Sequence, residues 1–174
     1  MKPLGRERAH QLQHRLRGEL LAALEAGGPA GAVRVCRERA ERLARDVGEG
    51  GQPTVELKRV TRKPRVPAHA PDKWESQALE WFETRLAQDG RLPEDWVQRL
   101  SEGGLRYRYY QPIVMGPPCL TCHGTPEQLP DTVKGTLAAL YPEDRATGYR
   151  EGELRGLLRV EIRAEDLPNI KETP

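Results

Sequence analysis

The residues Cys119-Leu120-Thr121-Cys122-His123 carry the densest chemistry in the chain. Two thiols separated by two residues, with an imidazole directly after the second, form C-x-x-C-H, the attachment signature of a c-type haem. The spacing suits that chemistry. The thiols add across the two vinyl groups of the porphyrin and leave two thioethers, and the adjacent imidazole comes under the ring as proximal iron ligand. Cys119 and Cys122 are therefore expected to be covalent anchors of haem c, and His123 an iron ligand. Other readings of the same residues stay open. A structural zinc site draws on four N/S ligands, and the adjacency of Cys122 and His123 strains a tetrahedron. A thioredoxin-like pair sits at a strand-to-helix junction, whereas this one lies in a Pro/Gly-rich loop. A plain disulfide is the third alternative.

What the protein does depends on the opposite face of the iron. Electron-transfer cytochromes c commonly place a methionine there, which raises the potential. The chain has only Met1 and Met115. Met115 sits just before Cys119 on a short tether, poorly suited to reach the far face, and no methionine follows His123. Among ligand-type side chains on predicted apolar faces, Cys36 stands out. The plain alternative, an inert buried cysteine, is common. His69 is a spare imidazole in a predicted loop and a weaker candidate. His10 and His14 lie four apart and share a helix face, but they read as a solvated surface.

The elements around these residues follow from periodicity. Residues 5–26 read as a helix, with Leu12, Leu16, Leu20 and Leu24 every four residues. Gly27-Gly28 stops it, and Pro29 suits the first turn of a second helix to about Val47. The apolar stripe of that helix (Ala32, Val33, Cys36, Ala40, Leu43, Ala44, Val47) puts Cys36 toward the core. Thr54–Thr61 is β-branched and partly alternating, which predicts a strand. Pro64, Pro67 and Pro71 exclude regular structure just after it. Asp72 with Glu75 is a capping-box-like start for a helix ended by Gly90. Pro93–Leu100 reads as a short helix, and Leu105–Met115 as a strand leading into the C-x-x-C-H loop. Asp131 starts a helix ended by Pro142. Ala146–Glu153 reads as a strand edge and turn. Leu154–Arg163 is the clearest strand, with Leu158, Val160 and Ile162 on one side and Arg159, Glu161 and Arg163 on the other. The segment from Ala164 to Pro174 reads as a polar, frayed tail. Helices first, then antiparallel strands with helical insertions, predict an α+β fold in one domain, residues 1–174.

Composition narrows the function classes. Lysine and arginine number 28 against 26 acids, for a net charge of +2. With no long basic run, this balance does not argue for nucleic acid. No stretch approaches the apolar length of a membrane span. Only 5% of residues are aromatic, and a porphyrin supplies flat apolar bulk of the kind aromatics normally give. Covalent haem attachment normally occurs outside the bacterial cytoplasm. A periplasmic or otherwise extracytoplasmic location is therefore expected, with a signal or anchor removed.

Several further stretches, in order, resemble the bacterial monohaem c-type PAS-like sensor domains. They are Ala32-Val33-Arg34-Val35-Cys36, Arg59-Val60-Thr61 with Pro64-Arg65, and Pro67-Ala68-His69-Ala70-Pro71-Asp72-Lys73-Trp74-Glu75. Tyr110-Gln111-Pro112-Ile113, Cys119–Gly124, Tyr141–Tyr149 and Gly152–Gly156 complete the set, spanning roughly residues 20–162. The family pattern usually has asparagine where this chain has Val66 and His69. The resemblance implies a PAS-like antiparallel sheet with N-terminal helices, and a cysteine thiolate opposite the C-x-x-C-H histidine. The matching position is Cys36. It implies Tyr141 and Tyr149 as pocket-lining or propionate-bonding residues. Arg59, Arg62 and Arg65 are candidate propionate partners, because arginine suits bidentate carboxylate binding.

These readings converge on a non-enzymatic sensor of redox state or a small diatomic gas, with haem c held by His123 and Cys36. A thiolate on ferric iron lowers the potential, since reduction adds negative charge to a low-dielectric pocket. Reduction is expected to weaken the Cys36 bond, and loss of that ligand moves a packed helix that a signalling or redox partner protein could read. A monohaem c-type electron carrier is the alternative. A peroxidase-like enzyme is a third, with His69 as its only nominee for acid/base work.

Overall fold

The computed structural model describes residues 1–167. The tail expected to fray from Ala164 does not do so at its start: Ala164–Asp166 form a 3₁₀ turn and Leu167 packs against the core, while its remainder, residues 168–174, lies outside the described residues. The first element, α1 (Lys2–Glu49), is two helical arms joined at Gly28, whose φ of 61° breaks the helix as the Gly27-Gly28-Pro29 sequence predicts. The arms run back along each other, so Arg39 of the second pairs with Glu19 of the first. Leu12 of the leucine stripe is fully buried.

The sheet contains β1 (Glu56–Val60), β2 (Trp96–Leu100), β3 (Arg106–Val114) and β4 (Leu154–Arg163), in the order β1-β4-β3-β2 with every pair antiparallel. The C-terminal strand therefore lies inside the sheet, as its apolar alternation requires. Leu158, Val160 and Ile162 face α1, where Ala9, Leu12, Val47, Val55 and Tyr109 complete one core. The opposite face is covered by α2 (Lys73–Asp89), which buries Ala78, Leu79 and Phe82 against Val60, Tyr110 and Leu157. The expected capping box is present at its start: Asp72 accepts from the Glu75 N–H at 2.7 Å and donates its own N–H to the Glu75 carboxylate at 2.8 Å.

Two local expectations fail. The segment Pro93–Leu100 is not a helix: its second half is edge strand β2, with Trp96 opposite Tyr110 and Leu100 opposite Arg106. The Trp96, Val97, Leu100 spacing fits a helix face in isolation. In the fold, Trp96 stacks on Trp81 at 5.2 Å and on Tyr110 at 5.9 Å, contacts that come from distant sequence. The segment Ala146–Glu153 forms no strand. Gly148 and Gly152, at φ 75° and 81°, make it a chain of turns entering β4.

Two short helices complete the fold, α3 (Leu120–His123) and α4 (Asp131–Leu140). Both pack on α1. Among the described residues, no helix is long and apolar enough to cross a membrane.

Candidate functional site

Strand β3 delivers the chain to the C-x-x-C-H loop. A register irregularity at Ile113/Val114 ends its regular pairing with β4. Met115 then pins the exit: it donates its N–H to Glu153 at 3.0 Å and accepts from the Gly152 N–H at 2.8 Å. The 3₁₀ turn Pro117–Cys119 leads directly into α3. Helical geometry brings residues i, i+3 and i+4 to one side, so Cys119, Cys122 and His123 share a face. Gly124 closes the turn through its N–H to the Leu120 carbonyl at 2.8 Å, and a side chain there would run into that carbonyl and into Gln128.

The orientation of His123 is fixed from its back. Its Nδ1 lies 2.6 Å from the carbonyl oxygen of Ala146. A carbonyl only accepts, so Nδ1 carries the proton and Nε2 keeps its lone pair. Burial, reinforced by the Arg65 and Arg155 charges, pushes the His123 pKa well below the usual histidine range, against the opposing Ala146 bond. The ring is thus a neutral imidazole with one free nitrogen, the form that ligates metal. The backbone is held as well: Tyr149 donates to the His123 carbonyl at 3.0 Å, and Gly148 to Gly124 at 2.8 Å.

Cys36 comes to this region on the second arm of α1. One turn before it, Val33 packs with Leu129, Val133, Leu137 and Tyr141, and Cys122 rests on the same cluster. All three cysteines are free thiols of intermediate exposure. Burial pushes the Cys36 thiol up, while Arg59 and Arg65 pull it down. Burial likewise raises Cys122, with Arg65 opposing and Cys36 and Cys119 adding to the rise. Cys36 and Cys122 therefore lie within each other's electrostatic reach.

Cations surround the loop. Arg65 donates to the Cys122 carbonyl at 2.7 Å and pairs with Asp144 at 3.1 Å. The guanidinium groups of Arg37 and Arg65 each lie 5.7 Å from the ring centre of Tyr141. Tyr149 meets His123 edge-on and carries Lys63 Nζ at 4.2 Å over its ring. Arg59 is half-buried and, among the described residues, pairs with Glu41 alone, at 3.8 Å. Arg62 is elsewhere: it forks onto Glu83 of α2 at 2.7 and 2.9 Å. His69 is buried and engages Glu41 at 2.7 Å through Nε2. Of the nine residues selected from sequence, Arg62 is the one turned away from the C-x-x-C-H turn, onto α2.

One residue escaped the sequence reading. Arg155, at the start of β4, donates to Thr61 Oγ1 at 2.7 Å, the Lys63 carbonyl at 3.1 Å and Tyr149 Oη at 3.4 Å. None of these partners is charged. Among the described residues, neither Arg155 nor Lys63 forms an ion pair with a carboxylate. The signal was present in the stretch Gly152–Gly156, quoted above for its resemblance but not for its arginine.

This donor set fits a covalently held haem. There are two free thiols beside a neutral imidazole with an open Nε2, a third thiol on a facing helix, and cations left over for propionates. Fold and loop together define an α+β domain built around a C-x-x-C-H turn packed on a helical hairpin. The chain belongs to the Tll0287-like family, whose model matches residues 6–163. It is similar to the crystal structure of the cyanobacterial heme-protein Tll0287, with 25% sequence identity and a TM-score of 0.68. That likeness covers 93% of this chain and 94% of the other. No curated protein matches.

Proposed function

We propose that this chain is an extracytoplasmic, non-enzymatic haem c sensor domain of PAS-like build, responding to redox state or to a small diatomic gas. The observation that carries the reading is the His123 ring. Its Nδ1 proton is committed to Ala146 at 2.6 Å, which leaves Nε2 for iron beside the thiols of Cys119 and Cys122. The similarity to a heme-protein supports the same cofactor. A bound haem supplies a one-electron redox centre and a position for a gas ligand.

The residues of this chain take distinct parts. Cys119 and Cys122 would anchor the haem, and His123 and Cys36 would be its iron ligands. Arg59, Arg65, Arg155 and Lys63 hold negative charge at the edge, with Tyr141 and Tyr149 lining the pocket. Burial favours the neutral thiol of Cys36, so with a haem bound this would be the ligand able to take up a proton from solvent and be lost on reduction. Its loss would remove one tether of the second arm of α1, which packs on α4 through Val33.

Absorption spectra of the ferric and ferrous protein, with and without CO, test the reading. The expected result is a c-type spectrum, a six-coordinate ferric form and CO binding only after reduction. A Cys36→Ala variant with the ferric spectrum and EPR of wild type removes Cys36 as a ligand. A ferrous form that stays six-coordinate and refuses CO makes the domain an electron carrier instead.

A further inference from the structure

We propose that Asp144 and Arg65 are positioning residues that set, with opposite sign, how readily an iron held by His123 is reduced. The inference rests on the haem reading above. Asp144 uses both carboxylate oxygens. One accepts from Arg65 Nε at 3.1 Å, and the other accepts from the Ala146 N–H at 2.8 Å. Ala146 in turn presents the carbonyl that takes the His123 Nδ1 proton. The carboxylate therefore fixes the residue on which the imidazole leans. Such outer partners orient a ligating histidine and raise its basicity.

Arg65 completes the assembly from the other direction. Its second nitrogen lies 2.7 Å from the Cys122 carbonyl and 3.4 Å from His123 Nδ1. The longer contact is not the one that orients the ring, because Nδ1 already donates to Ala146. The Arg65 charge bears both on His123 and on the Cys36 thiol of α1. Both side chains of the pair are largely shielded from solvent, at 13% and 9% exposure. Water and salt therefore screen the pair weakly.

The two charges pull apart. Asp144→Asn leaves the Arg65 cation uncompensated and loosens the support behind His123; both changes favour the reduced iron. Arg65→Gln leaves the Asp144 anion uncompensated and favours the oxidised iron. Each substitution is expected to move the ferric/ferrous equilibrium constant by about tenfold, the low end for outer partners of a metal ligand. Tenfold is about 59 mV for a one-electron couple. Arg65→Lys keeps the charge and should stay close to wild type.

Spectroelectrochemistry of the full haem-loaded chain makes the measurement, with haem content read from the pyridine haemochrome. Opposite shifts for Asp144→Asn and Arg65→Gln support the inference. Haem bound normally, with both potentials unchanged or displaced the same way, overturns it and leaves the haem reading standing. Wild-type protein without covalent haem overturns both. If either neutral substitution prevents folding, Arg65→Lys and Asp144→Glu decide. Both keep their charge, so potentials near wild type in both, with a weakened Fe–His vibration in Asp144→Glu alone, support the assignment. A shifted potential in Arg65→Lys, or an unaltered Fe–His vibration in Asp144→Glu, overturns it.

Discussion

Replacing Glu75 by Gln tests the charge network that seats α2 on the sheet. The Glu75 side chain is fully buried. Lys58 Nζ lies 2.7 Å from one carboxylate oxygen and Arg159 lies 3.1 Å from the other. The same carboxylate accepts the Asp72 N–H in the capping box. Glutamine keeps an acceptor for Asp72 and removes the charge. Breaking one partner of a buried pair costs about 3–5 kcal/mol, because the remaining charge is stranded. Here the low end applies: Arg159 retains Glu56 and Glu161, and Lys58 retains the Ala70 carbonyl. A loss of about 3 kcal/mol lowers the melting temperature of a chain this size by roughly 6–12 °C. Glu75→Ala also removes half of the capping box and should cost about 1 kcal/mol more. Urea unfolding at pH 7, followed by far-UV circular dichroism, reads both. A Glu75→Gln protein within about 1 kcal/mol of wild type, the range of exposed pairs, would refute the reasoning.

Gly156→Ala should disrupt the join between β1 and β4. The new methyl would lie 2.3 Å from the Val60 carbonyl, at a φ of +155°. Backbone strain alone costs roughly 1–3 kcal/mol, so a melting curve matching wild type would contradict that packing. Acid should weaken the fold through Asp72 and Asp95. Burial pushes both carboxyls up, but the cations Arg108 for Asp72, and Lys2 and Arg6 for Asp95, together with backbone donors to Asp72, more than offset it, holding both below their usual range. A depressed carboxyl stabilises above its unfolded pKa of about 4 and loses that contribution as pH falls through the folded value. The urea midpoint should therefore hold from pH 7 to about 5 and fall below about 4. Asp95→Asn should flatten part of that fall, and an unchanged acid limb would exclude Asp95 as its source. Arg155→Met should shift the haem-loaded protein toward the ferric form, because a cation leaves the site. It should also cost roughly 1.5–3 kcal/mol of holoprotein stability for each charge-assisted hydrogen bond lost. Spectroelectrochemistry and urea unfolding of the same sample check both, and an unchanged potential would place Arg155 away from the iron.

What could be read from the sequence was what local chemistry decides. Gly27-Gly28-Pro29 can only interrupt a helix, and it does. Asp72 and Glu75 satisfy each other's backbone donors within one turn, so their capping box needed no distant partner. Leu158, Val160 and Ile162 alternate because β4 is covered on the α1 face, and their side was legible before any pairing was known. Trp96 was not legible: its backbone pairs with Tyr110 and its ring stacks on Trp81, and neither partner is local. The same limit governed the arginines. Arg59, Arg62 and Arg65 looked equivalent along one strand and loop. Only the fold brings Glu83 to Arg62, Asp144 to Arg65, and neither to Arg59.

That sorting of arginines bears on function more than net charge does. A chain with 28 cations and 26 acids looks balanced. The balance is not uniform in space. Among the described residues around the C-x-x-C-H turn, Arg155 and Lys63 pair with no carboxylate, Arg59 has a distant one, and Arg65 is closely paired with Asp144. Burial lowers the pKa of Arg155 and Arg59, and the neighbouring cations add to the fall. Desolvation thus outweighs the nearby Glu41 for Arg59, and among the described residues no carboxylate pairs with Arg155. Unpaired buried charge is retained only where another group neutralises it. Two propionates beside the turn would do so and would strengthen the same hydrogen bonds. The excess of positive charge thus supports the haem reading independently of the cysteines.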